Sequence, residues 1–356
     1  MKKWKVGIVG LSRGGSYVNV FSAHPEVKVT ALCDVDQDAL SRTGRAFQLC
    51  GPHLFTEFDE FLNAPTDIVV IATPIALHAE QTIRSLEAGK HVLCEQTAAY
   101  TVEDCGRVVQ AVKRAGKVYM MAENYAYFHY VREWKRMISE GKLGEIFYAE
   151  GEYLHEITSL LIDPKTGQQR WRAERPAIWY CAHCLGPLLM LMDDRVVKAT
   201  GIHAGFHRFP EHRDLIGFLD MEIGLFQTRK GAVIKILRSQ ALARPHMIFY
   251  SLYGTHGFIE TGRETPEGQV YVHGEQTAPQ VIPCPTVDPN APEGAAGGGH
   301  GTSEYYLIRD FLKAVETNTR PPIDMIRSMD MTIPGLVAHE AVMKGGVWLD
   351  VPQFDW

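Results

Sequence analysis

Two residues with acid–base side chains stand close together in one apolar stretch of the sequence, Tyr180-Cys181-Ala182-His183-Cys184-Leu185-Gly186-Pro187. If a helix begins at Tyr180, residues three apart share one face, so Tyr180 and His183 would lie side by side. A tyrosine beside a histidine can take and return protons near neutral pH. The alternative is a histidine that only packs inside a helix, and the spacing leaves both interpretations open.

Cys181 and Cys184 in the same stretch have the spacing of a redox or zinc motif. No second cysteine pair stands at metal spacing, and the strand–helix context of a thioredoxin motif is absent from the sequence. Two cysteines in an apolar helix usually belong to the core. We therefore expect no metal at this site.

Two further segments carry candidate binding residues. The run Arg170-Trp171-Arg172-Ala173-Glu174-Arg175 could hold an anionic group of a substrate, through two hydrogen bonds if that group is a carboxylate or sulfonate. A solvated loop is the alternative for these arginines. The run Glu150-Gly151-Glu152-Tyr153-Leu154-His155 ends a predicted strand, where polar side chains commonly reach a site.

The first residues predict the element that would position a cofactor. Residues 5–10 read as a short buried strand, and Gly10-Leu11-Ser12-Arg13-Gly14-Gly15 as a tight turn into a helix. This order is the dinucleotide-binding fingerprint, in which glycines let the backbone approach a pyrophosphate and the helix start attracts its charge. The match is imperfect, because Ser12 replaces the second glycine.

A second apolar run at 27–32 ends at Cys33-Asp34, close to the ~20-residue spacing expected of the acid that binds a ribose hydroxyl. Such a carboxylate favours NAD over NADP, because it repels a 2′-phosphate. Arg13 argues the other way, since an arginine nearby can hold that phosphate. The alternative role for Asp34 is the N-cap of a helix predicted over 37–49.

Strands and helices continue to alternate up to residue 123, which predicts a parallel sheet with right-handed crossovers. Ligands of such sheets sit beyond the carboxyl ends of the strands. The predicted strands 67–72, 90–94 and 117–122 end at Thr73-Pro74, Glu95-Gln96 and Glu123-Asn124.

After Asn124 the pattern changes to strand-like runs separated by turns, at 146–153, 214–226, 232–238 and 247–253. This predicts a large, open, mostly antiparallel sheet, with helices at 130–140, 181–192, 303–316 and 325–344, the last interrupted at Pro334-Gly335. Residues 158–178 read as a loop, and the Pro/Gly-rich segment 283–299 is long enough to be a site lid. The expected domains are 1–123 and 124–356, with the helix near 325–344 able to pack back on the first.

Composition argues against nucleic-acid-binding and membrane-spanning proteins. The chain has 356 residues, 46% apolar, with a formal net charge of −6, which argues against a nucleic-acid surface. No apolar run is long enough for a membrane span, and the sequence enters its first strand without a signal peptide. The seven cysteines are expected to be reduced thiols of a cytoplasmic protein.

Over nearly its whole length the chain resembles the Gfo/Idh/MocA oxidoreductase family. The matching segments are 7–15, Cys33-Asp34, Ala72-Thr73-Pro74 with His78, 88–92 and Glu95-Gln96-Thr97. The resemblance implies an N-terminal Rossmann domain and a C-terminal α/β domain whose open sheet binds substrate. It also implies oxidation or reduction of the hydroxyls of sugars and cyclitols with NAD(P). It implies cofactor contacts from these residues: Gly10, Ser12, Arg13, Gly14, Asp34, Thr73, Pro74, His78, Glu95, Gln96 and Asn124.

One departure from that family bears on the reaction. Its dehydrogenases usually carry Glu-Lys-Pro where this chain has Glu95-Gln96-Thr97. The lysine helps to polarise the hydroxyl that loses hydride, and the neutral Gln96 cannot supply that charge. Either tyrosine and histidine have taken over the role, or net dehydrogenation is not the reaction.

A narrower resemblance, to the NAD-dependent glycosidases of glycoside hydrolase family 109, supports the second option. It rests on 123–127, 144–155, Trp171-Arg172 and 180–187. These enzymes keep NAD bound through a closed redox cycle. The resemblance implies catalytic roles for His183, Tyr180 and Tyr153, and sugar contacts from His155, Trp171, Arg172 and Arg170.

Three functions stay open at this point: a redox-neutral glycosidase or lyase, an ordinary NAD-dependent sugar or cyclitol dehydrogenase, and a dinucleotide-binding regulator without catalysis. The open sheet also predicts a homodimer or homotetramer, because an uncovered apolar face favours a partner.

Overall fold

The structure is a computed structural model that describes residues 3–356. The chain forms two compact units. The first contains the chain up to Phe128 together with Thr286–Met329 and Phe354–Trp356, and the second contains His129–Pro285 and Asp330–Gln353. The sequence predicted two continuous domains divided after residue 123, whereas the chain returns to the first unit twice.

The first unit is built on a six-stranded sheet in the order β3-β2-β1-β4-β5-β6, with every neighbouring pair parallel. The predicted parallel Rossmann sheet is therefore confirmed. Its strands are β1 Trp4–Val9, β2 Val27–Cys33, β3 Leu54–Phe55, β4 Ile68–Ile71, β5 His91–Glu95 and β6 Tyr119–Ala122.

These strands are short apolar runs because helices cover both faces of a parallel sheet. All four residues of β4 are completely buried. The helices of this unit are α1 Leu11–Ser22, α2 Gln37–Ala46, α3 Phe58–Leu62, α4 His78–Glu87 and α5 Val102–Ala115. Thr101 caps α5, since its hydroxyl accepts a hydrogen bond from the Asp104 N–H at 3.0 Å.

The second unit contains a nine-stranded sheet in the order β14-β13-β12-β11-β7-β10-β9-β8-β15. Only β7 and β10 pair in parallel, so the predicted, mostly antiparallel sheet is confirmed. Its strands are β7 Ile146–Leu154, β8 Val196–His203, β9 Glu222–Thr228, β10 Val233–Ser239, β11 Met247–Gly254, β12 Gly257–Thr261, β13 Glu267–Val272, β14 Gln280–Pro283 and β15 Leu349–Asp350. The strand predicted from residue 214 begins only at Glu222.

Four further helices complete the two units: α6 His129–Ser139, α7 Thr158–Leu161, α8 Ala182–Met192 and α9 Ser303–Thr317. A fifth, α10 Met325–Met343, runs through Pro334, so the interruption predicted at Pro334-Gly335 is wrong. Gly335 has a packing reason to be a glycine, because an added Cβ would lie 2.8 Å from Cys181 Sγ. α9 belongs to the first unit, not to the predicted second domain.

Residues 3–356 contain no helix that is both long and apolar enough to cross a membrane.

Candidate cofactor and active sites

The turn between β1 and α1 needs its first glycine for two reasons. Gly10 has φ 87°, a backbone conformation that is unfavourable for residues with a side chain. An added Cβ would also lie 2.6 Å from the backbone of Ala72 and Thr73. Gly14, one turn into the helix, is close to Ile8, whose Cγ2 would lie 2.8 Å from an added Cβ. The sequence fingerprint therefore describes real crowding at two of its glycines.

The start of α1 fits a dinucleotide pyrophosphate. The first backbone N–H groups of a helix have no partner within it and carry partial positive charge. Ser12 at this end is exposed, and a Cβ added to Gly15 would meet nothing within 4 Å. The exposed Ser12 and the open space beside Gly15 leave room for a phosphate group at this end of the helix.

Asp34 is the acid at the end of β2, and it does not cap the following helix. Its Oδ2 accepts a hydrogen bond from the Leu11 N–H at 2.6 Å, and its Oδ1 accepts one from the Asp36 N–H at 2.9 Å. Asp36 is the residue that caps α2, through the N–H groups of Asp38 and Ala39. The N-cap alternative for Asp34 is therefore wrong, and its half-buried carboxylate is held at the first residue of α1.

Arg13 points toward carboxylates of its own unit. Its Nε donates to Glu95 Oε1 at 2.7 Å and its Nη2 to Glu304 Oε1 at 2.8 Å, while Nη1 donates to Ser16 Oγ and to the Gly298 carbonyl. Burial by itself would lower the pKa of Arg13, but Glu95 and Glu304 hold it above its ordinary value. With its donors occupied, Arg13 does not favour a 2′-phosphate, and the carboxylate of Asp34 favours NAD.

Glu304, at the start of α9, is a fully buried carboxylate that the sequence analysis did not single out. Besides Arg13, it accepts hydrogen bonds from Asn124 Nδ2 at 3.1 Å and from Ser303 Oγ at 3.0 Å, and His300 Nδ1 lies 2.6 Å away. Burial would raise the pKa of Glu304, but His300 and Arg13 lower it to about 2. Asn124, a predicted cofactor residue, is thus fixed by a helix far along the chain.

The loop predicted as a lid is anchored along α1. The Gly298 carbonyl accepts from Arg13, and a Cβ on Gly297 would lie 3.2 Å from Asn19 Cβ. Its end is tied down as well, because the Thr302 N–H donates to the Thr286 carbonyl at 3.3 Å.

The predicted residues after β4 are linked to those after β5. His78 is buried, with Nε2 2.8 Å from the Thr73 carbonyl and Nδ1 2.7 Å from the Thr97 carbonyl. Burial lowers the pKa of His78, while the two carbonyl oxygens act in the opposite direction. This placement favours a role in bracing the two loops over direct contact with a cofactor. Thr73 Oγ1 donates to Gln81 Oε1 at 2.6 Å, and Pro74 is exposed.

Glu95 and Gln96 follow at the end of β5, and both are buried. Glu95 is occupied by Arg13 and by the Gln96 N–H, which donates to Oε2 at 3.1 Å. The neutral Gln96 therefore stands at the strand end where the related dehydrogenases are expected to carry a lysine.

The second unit brings the three predicted catalytic residues together. The His183 ring makes edge-to-face contacts with Tyr153 and Tyr180, each with ring centroids 5.2 Å apart. The Tyr153 hydroxyl lies 2.7 Å from Nδ1 of His155, a predicted sugar contact. His246, which the sequence analysis did not single out, packs on both Tyr153 and His155. We refer to Tyr153, His155, Tyr180, His183 and His246 as the tyrosine–histidine cluster.

His155 is uncharged within this cluster. Burial lowers its pKa to about 4, and the positive charges of His246, Arg238 and His183 act in the same direction. A neutral ring leaves one nitrogen able to accept a proton from Tyr153.

Close packing of α8 on β7 positions His183. Gly151 makes this approach possible, because an added Cβ would lie 2.9 Å from the Cβ of Cys184. The Tyr250 hydroxyl of β11 donates to the His183 carbonyl and fixes the first turn of α8. The prediction of a helix at 181–192 is confirmed by α8.

Tyr180 sits on the short turn before α8, which a buried carboxylate holds in place. Glu222 Oε2 accepts a hydrogen bond from the Ile178 N–H at 2.9 Å, and its Oε1 lies 3.0 Å from His339 Nδ1. Both partners fix the backbone that carries Tyr180, so its ring direction depends on β9 and α10 as well as on its own turn.

Arginines surround the two tyrosines. The Arg175 guanidinium lies 4.2 Å from the Tyr180 ring centre, and the Arg238 guanidinium lies 4.4 Å from that of Tyr153. Arg172 stacks on Trp171 at 4.3 Å. Two predicted sugar contacts, Trp171 and Arg172, thus lie beside the cluster.

The third predicted arginine lies apart from this group. Arg170 Nη2 donates to Asp163 Oδ2 at 2.5 Å, and about two-fifths of its side chain is exposed. Its hydrogen bond is the main cause that lowers the pKa of Asp163 to about 2. For Arg170 the solvated-loop alternative fits the structure better than a sugar contact.

Sequence reasoning missed several of these residues: Glu304, His300, Arg238, Gln240 and His246. Only His300 had a local signal, because it follows Gly297-Gly298-Gly299 in a loop already marked as unusual. Cys181 and Cys184 are both buried, and no group of three metal-ligating side chains occurs among residues 3–356.

Comparison with known proteins agrees with this geometry. Residues 4–123 match the sequence model of the Gfo/Idh/MocA oxidoreductase family with its NAD-binding Rossmann fold, which confirms the predicted cofactor, NAD. A glycosyl hydrolase family 109 protein of Saccharopolyspora erythraea is 27% identical over 98% of this chain and 83% of its own length. Another, from Shewanella sp. (strain ANA-3), is 31% identical over 72% of this chain and 62% of its own.

Solved structures share the fold over the whole chain. Levoglucosan dehydrogenase in complex with NADH and L-sorbose superposes with a TM-score of 0.85 at 23% identity, covering 99% of this chain and 100% of that one. The myo-inositol 2-dehydrogenase of Lactobacillus plantarum gives 0.79 at 18% identity, with the same coverage. Residues 4–123 therefore form an NAD-binding domain of the Gfo/Idh/MocA oxidoreductase type. The chain is an enzyme that is similar, over 98% of its length, to a protein of glycosyl hydrolase family 109.

Proposed function

We propose that this enzyme cleaves glycosides without net redox change, by oxidation at C3 of the sugar, elimination of the C1 substituent, addition of water and reduction. The observation that carries the proposal is the tyrosine–histidine cluster, which brings His183 into contact with two tyrosines. Elimination and addition need several proton transfers around one sugar ring. A cluster of three such groups suits them better than the single lysine of an ordinary dehydrogenase.

The cofactor residues present are suited to NAD: Gly10 and the start of α1 to the pyrophosphate, and Asp34 to a ribose hydroxyl. When bound, NAD⁺ supplies the hydride acceptor for C3 and returns the hydride at the end of the cycle.

The tyrosine–histidine cluster moves the protons. One of Tyr153, Tyr180 and His183 accepts the C3 hydroxyl proton as C3 becomes a ketone, which acidifies the C2 proton. A second removes the C2 proton as the bond from C1 to its substituent breaks, and a protonated group of the cluster donates to that leaving group. Reversal of these transfers accompanies addition of water at C1. In this proposal His155, which is next to Tyr153, and the stacked pair Trp171 and Arg172 contact the sugar.

An ordinary sugar dehydrogenase is the second candidate, supported by the shared fold with levoglucosan dehydrogenase. Gln96 argues against it, because a neutral amide cannot lower the pKa of a hydroxyl as a lysine does.

Aryl glycosides separate the two candidates. The purified enzyme is incubated with a series of them without added NAD, while aryl release and the absorbance of NADH are followed together. Redox-neutral cleavage releases the aryl group with no net NADH. In a second incubation NAD is added, and stoichiometric NADH with the glycoside intact would support the dehydrogenase instead and contradict the proposal.

We also propose that the enzyme is a homodimer or homotetramer through the large sheet. Ile202, Leu225, Val233 and Tyr253 are exposed, and the strand register places them on one face. A sheet face that leaves these apolar side chains exposed favours a second copy as its cover. Light scattering after size exclusion tests this, and a monomer at micromolar concentration would contradict it.

A further inference from the structure

The charge around Tyr180 is unusual for a protein interior. Arg175 is 2% exposed, and its only side-chain hydrogen bond within residues 3–356 joins Nη2 to Gln240 Oε1 at 2.9 Å. Its Nε and Nη1 are buried without an acceptor in this part of the chain. Buried guanidinium groups normally have carboxylate partners, since an unpaired charge is costly to bury.

Arg238, beside it, is 1% exposed and also lacks a carboxylate partner in the described chain. Its donors reach the backbone carbonyls of Ala177, Tyr153 and Ser239. Glu222 lies opposite Arg238 in the register of β9 and β10, but its two oxygens are taken by Ile178 and His339. Two positive charges are therefore buried together without a matching negative group.

Both charges face Tyr180. The Arg175 guanidinium lies 4.2 Å from the ring centre and that of Arg238 5.8 Å. Within residues 3–356, the titratable groups around Tyr180 include His183 at the start of α8, Tyr153 on β7 and Arg172 on the preceding turn. None of these three is an anion in its ordinary form, whereas the phenol of Tyr180 lies against both guanidinium groups and becomes an anion when it loses its proton.

We propose that Arg175, assisted by Arg238, is a positioning residue that stabilises Tyr180 as a phenolate, and that this phenolate is the resting base of the reaction. The inference rests on the proposed function for the identity of the base. A cation within about 4–6 Å lowers the pKa of an acidic group by about 1–3 units. The pKa of Arg175 fits this arrangement: burial lowers it to about 9, and the negative charge of Tyr180 is the largest influence that raises it.

Gln240 holds Arg175 in this position. Its Oε1 accepts from the guanidinium, and its Nε2 donates to the carbonyls of Arg175 and Gly217, each at 2.9 Å. Because Gln240 is an amide and not a carboxylate, these hydrogen bonds hold Arg175 in place without neutralising its charge.

The test is an ultraviolet titration of tyrosinate on the resting enzyme, which requires no turnover. The wild-type curve minus that of Tyr180→Phe gives the titration of Tyr180 alone. We expect its midpoint about 1–3 units below the ordinary value of about 10. A midpoint at or above that value would overturn the proposal, even if no arginine variant folds.

Arginine variants assign the cause. Arg175→Gln should raise the midpoint by about one unit, a tenfold change in the ionisation constant, and Arg175→Lys should restore most of the shift. Arg263→Gln is the matched control, because Arg263 also lies over a ring, Phe249 at 3.8 Å, but is paired with Glu152. An unchanged midpoint in Arg175→Gln would refute the role of Arg175.

Sulfate binding tests the alternative that an anionic group of the substrate, and not Tyr180, supplies the negative charge beside Arg175. If Arg175 serves to bind such an anion, Tyr180 titrates at its ordinary value and sulfate binds with an affinity that Arg175→Gln removes, which would overturn the proposal. Failure of the glycoside assay with a lowered midpoint would reject only the proposed function. The pH profile of turnover, in an active enzyme, should rise at the same midpoint and move with it in Arg175→Gln.

Discussion

Arg13 and Arg175 are both poorly exposed arginines close to a tyrosine ring, and their surroundings are opposite. Arg13 donates to two carboxylates, Glu95 and Glu304, which hold its pKa above the ordinary value. Arg175 donates to the amide of Gln240, and burial lowers its pKa to about 9. Arg13 is neutralised by two carboxylates of its own unit, whereas Arg175 lies against the phenol of Tyr180 and has no carboxylate partner within residues 3–356.

The difference separates a structural charge from a reactive one. Arg13 ties together the start of α1, the end of β5, the glycine loop at Gly298 and α9, so its interactions fix the shape of the cofactor region. Arg175 makes few strong contacts, and its positive charge lies close to the Tyr180 ring. Variants of the first region should therefore alter stability and cofactor affinity, whereas variants of the second should alter rate and pH dependence.

The largest effect is expected in the second region, for His183→Ala. His183 contacts both tyrosines, and one acid–base group contributes roughly 10²–10⁴-fold to rate. We expect turnover to fall at least 100-fold while NAD still binds, because the cofactor residues lie in the first unit. Turnover on an aryl glycoside and NAD affinity by fluorescence are the two measurements. His203→Ala, at an exposed histidine of β8, is the control, and near-full turnover in His183→Ala would contradict the assignment.

The sequence predicted the folding of the first 123 residues well because their signals are local. A buried strand, a glycine turn and an amphipathic helix are each written in ten to fifteen neighbouring residues, and β1, α1 and β2 follow them. The return of α9 to the first unit has no such signal. Glu304 meets Arg13 across 291 residues of sequence, and neither side chain shows by its own neighbours that it has the other as partner.

The sequence predicted which residues form the candidate site, but not which of its charged side chains have partners of opposite charge. Tyr180 and His183 could be paired by their spacing, and α8 begins between them. Arg170, Arg172 and Arg175 were grouped as one anion-binding run, although Arg170 pairs with Asp163 and Arg175 turns into the core. Which arginine is neutralised depends on residues from other strands, such as Gln240, that only the folded chain brings near.

Glu304→Gln tests the neutralised side of the comparison. The folded chain lowers the pKa of Glu304 from its ordinary 4.5 to about 2, so the carboxylate stabilises the fold above pH ~4.5 and this stability is lost as the pH falls toward 2. The shift corresponds to about 3 kcal/mol, part of which the amide recovers by still accepting from Arg13. We expect the variant to unfold more easily at pH 7 by about 2 kcal/mol and to lose less stability between pH 4.5 and 2.

Urea titrations across this pH range measure both effects. Glu275→Gln is the control, since Glu275 forms an exposed ion pair with Lys142, and such pairs contribute little to stability. Equal acid sensitivity of wild type and Glu304→Gln would show that Arg13 does not depend on this carboxylate.

Alanine substitutions at Gly10 and Gly15 test whether the turn before α1 binds the cofactor. Gly10→Ala places a Cβ 2.6 Å from the Ala72–Thr73 backbone at φ 87°, so we expect NAD affinity to fall at least tenfold, about 1.4 kcal/mol. Gly15→Ala adds its Cβ to open space inside α1, where alanine is favoured over glycine by up to about 1 kcal/mol. Calorimetric titration with NAD measures the affinity of both variants. Equal affinities would mean that the glycine turn does not carry the pyrophosphate.

The remaining prediction concerns the pH dependence of stability that His155 sets. Its pKa lies near 4 in the folded chain and near 6.5 when unfolded, because burial and neighbouring positive groups disfavour the charged ring. The unfolded state therefore binds more protons between these values, so stability falls as the pH falls from about 6.5 to about 4. His155→Phe keeps a buried ring that cannot be protonated, and it should flatten this part of the profile. His53→Phe, at an exposed histidine of the first unit, serves as the control and should leave the slope unchanged. If His155→Phe retains the full acid slope, the loss of stability has another source, and the neutral state of His155 beside Tyr153 would no longer be supported.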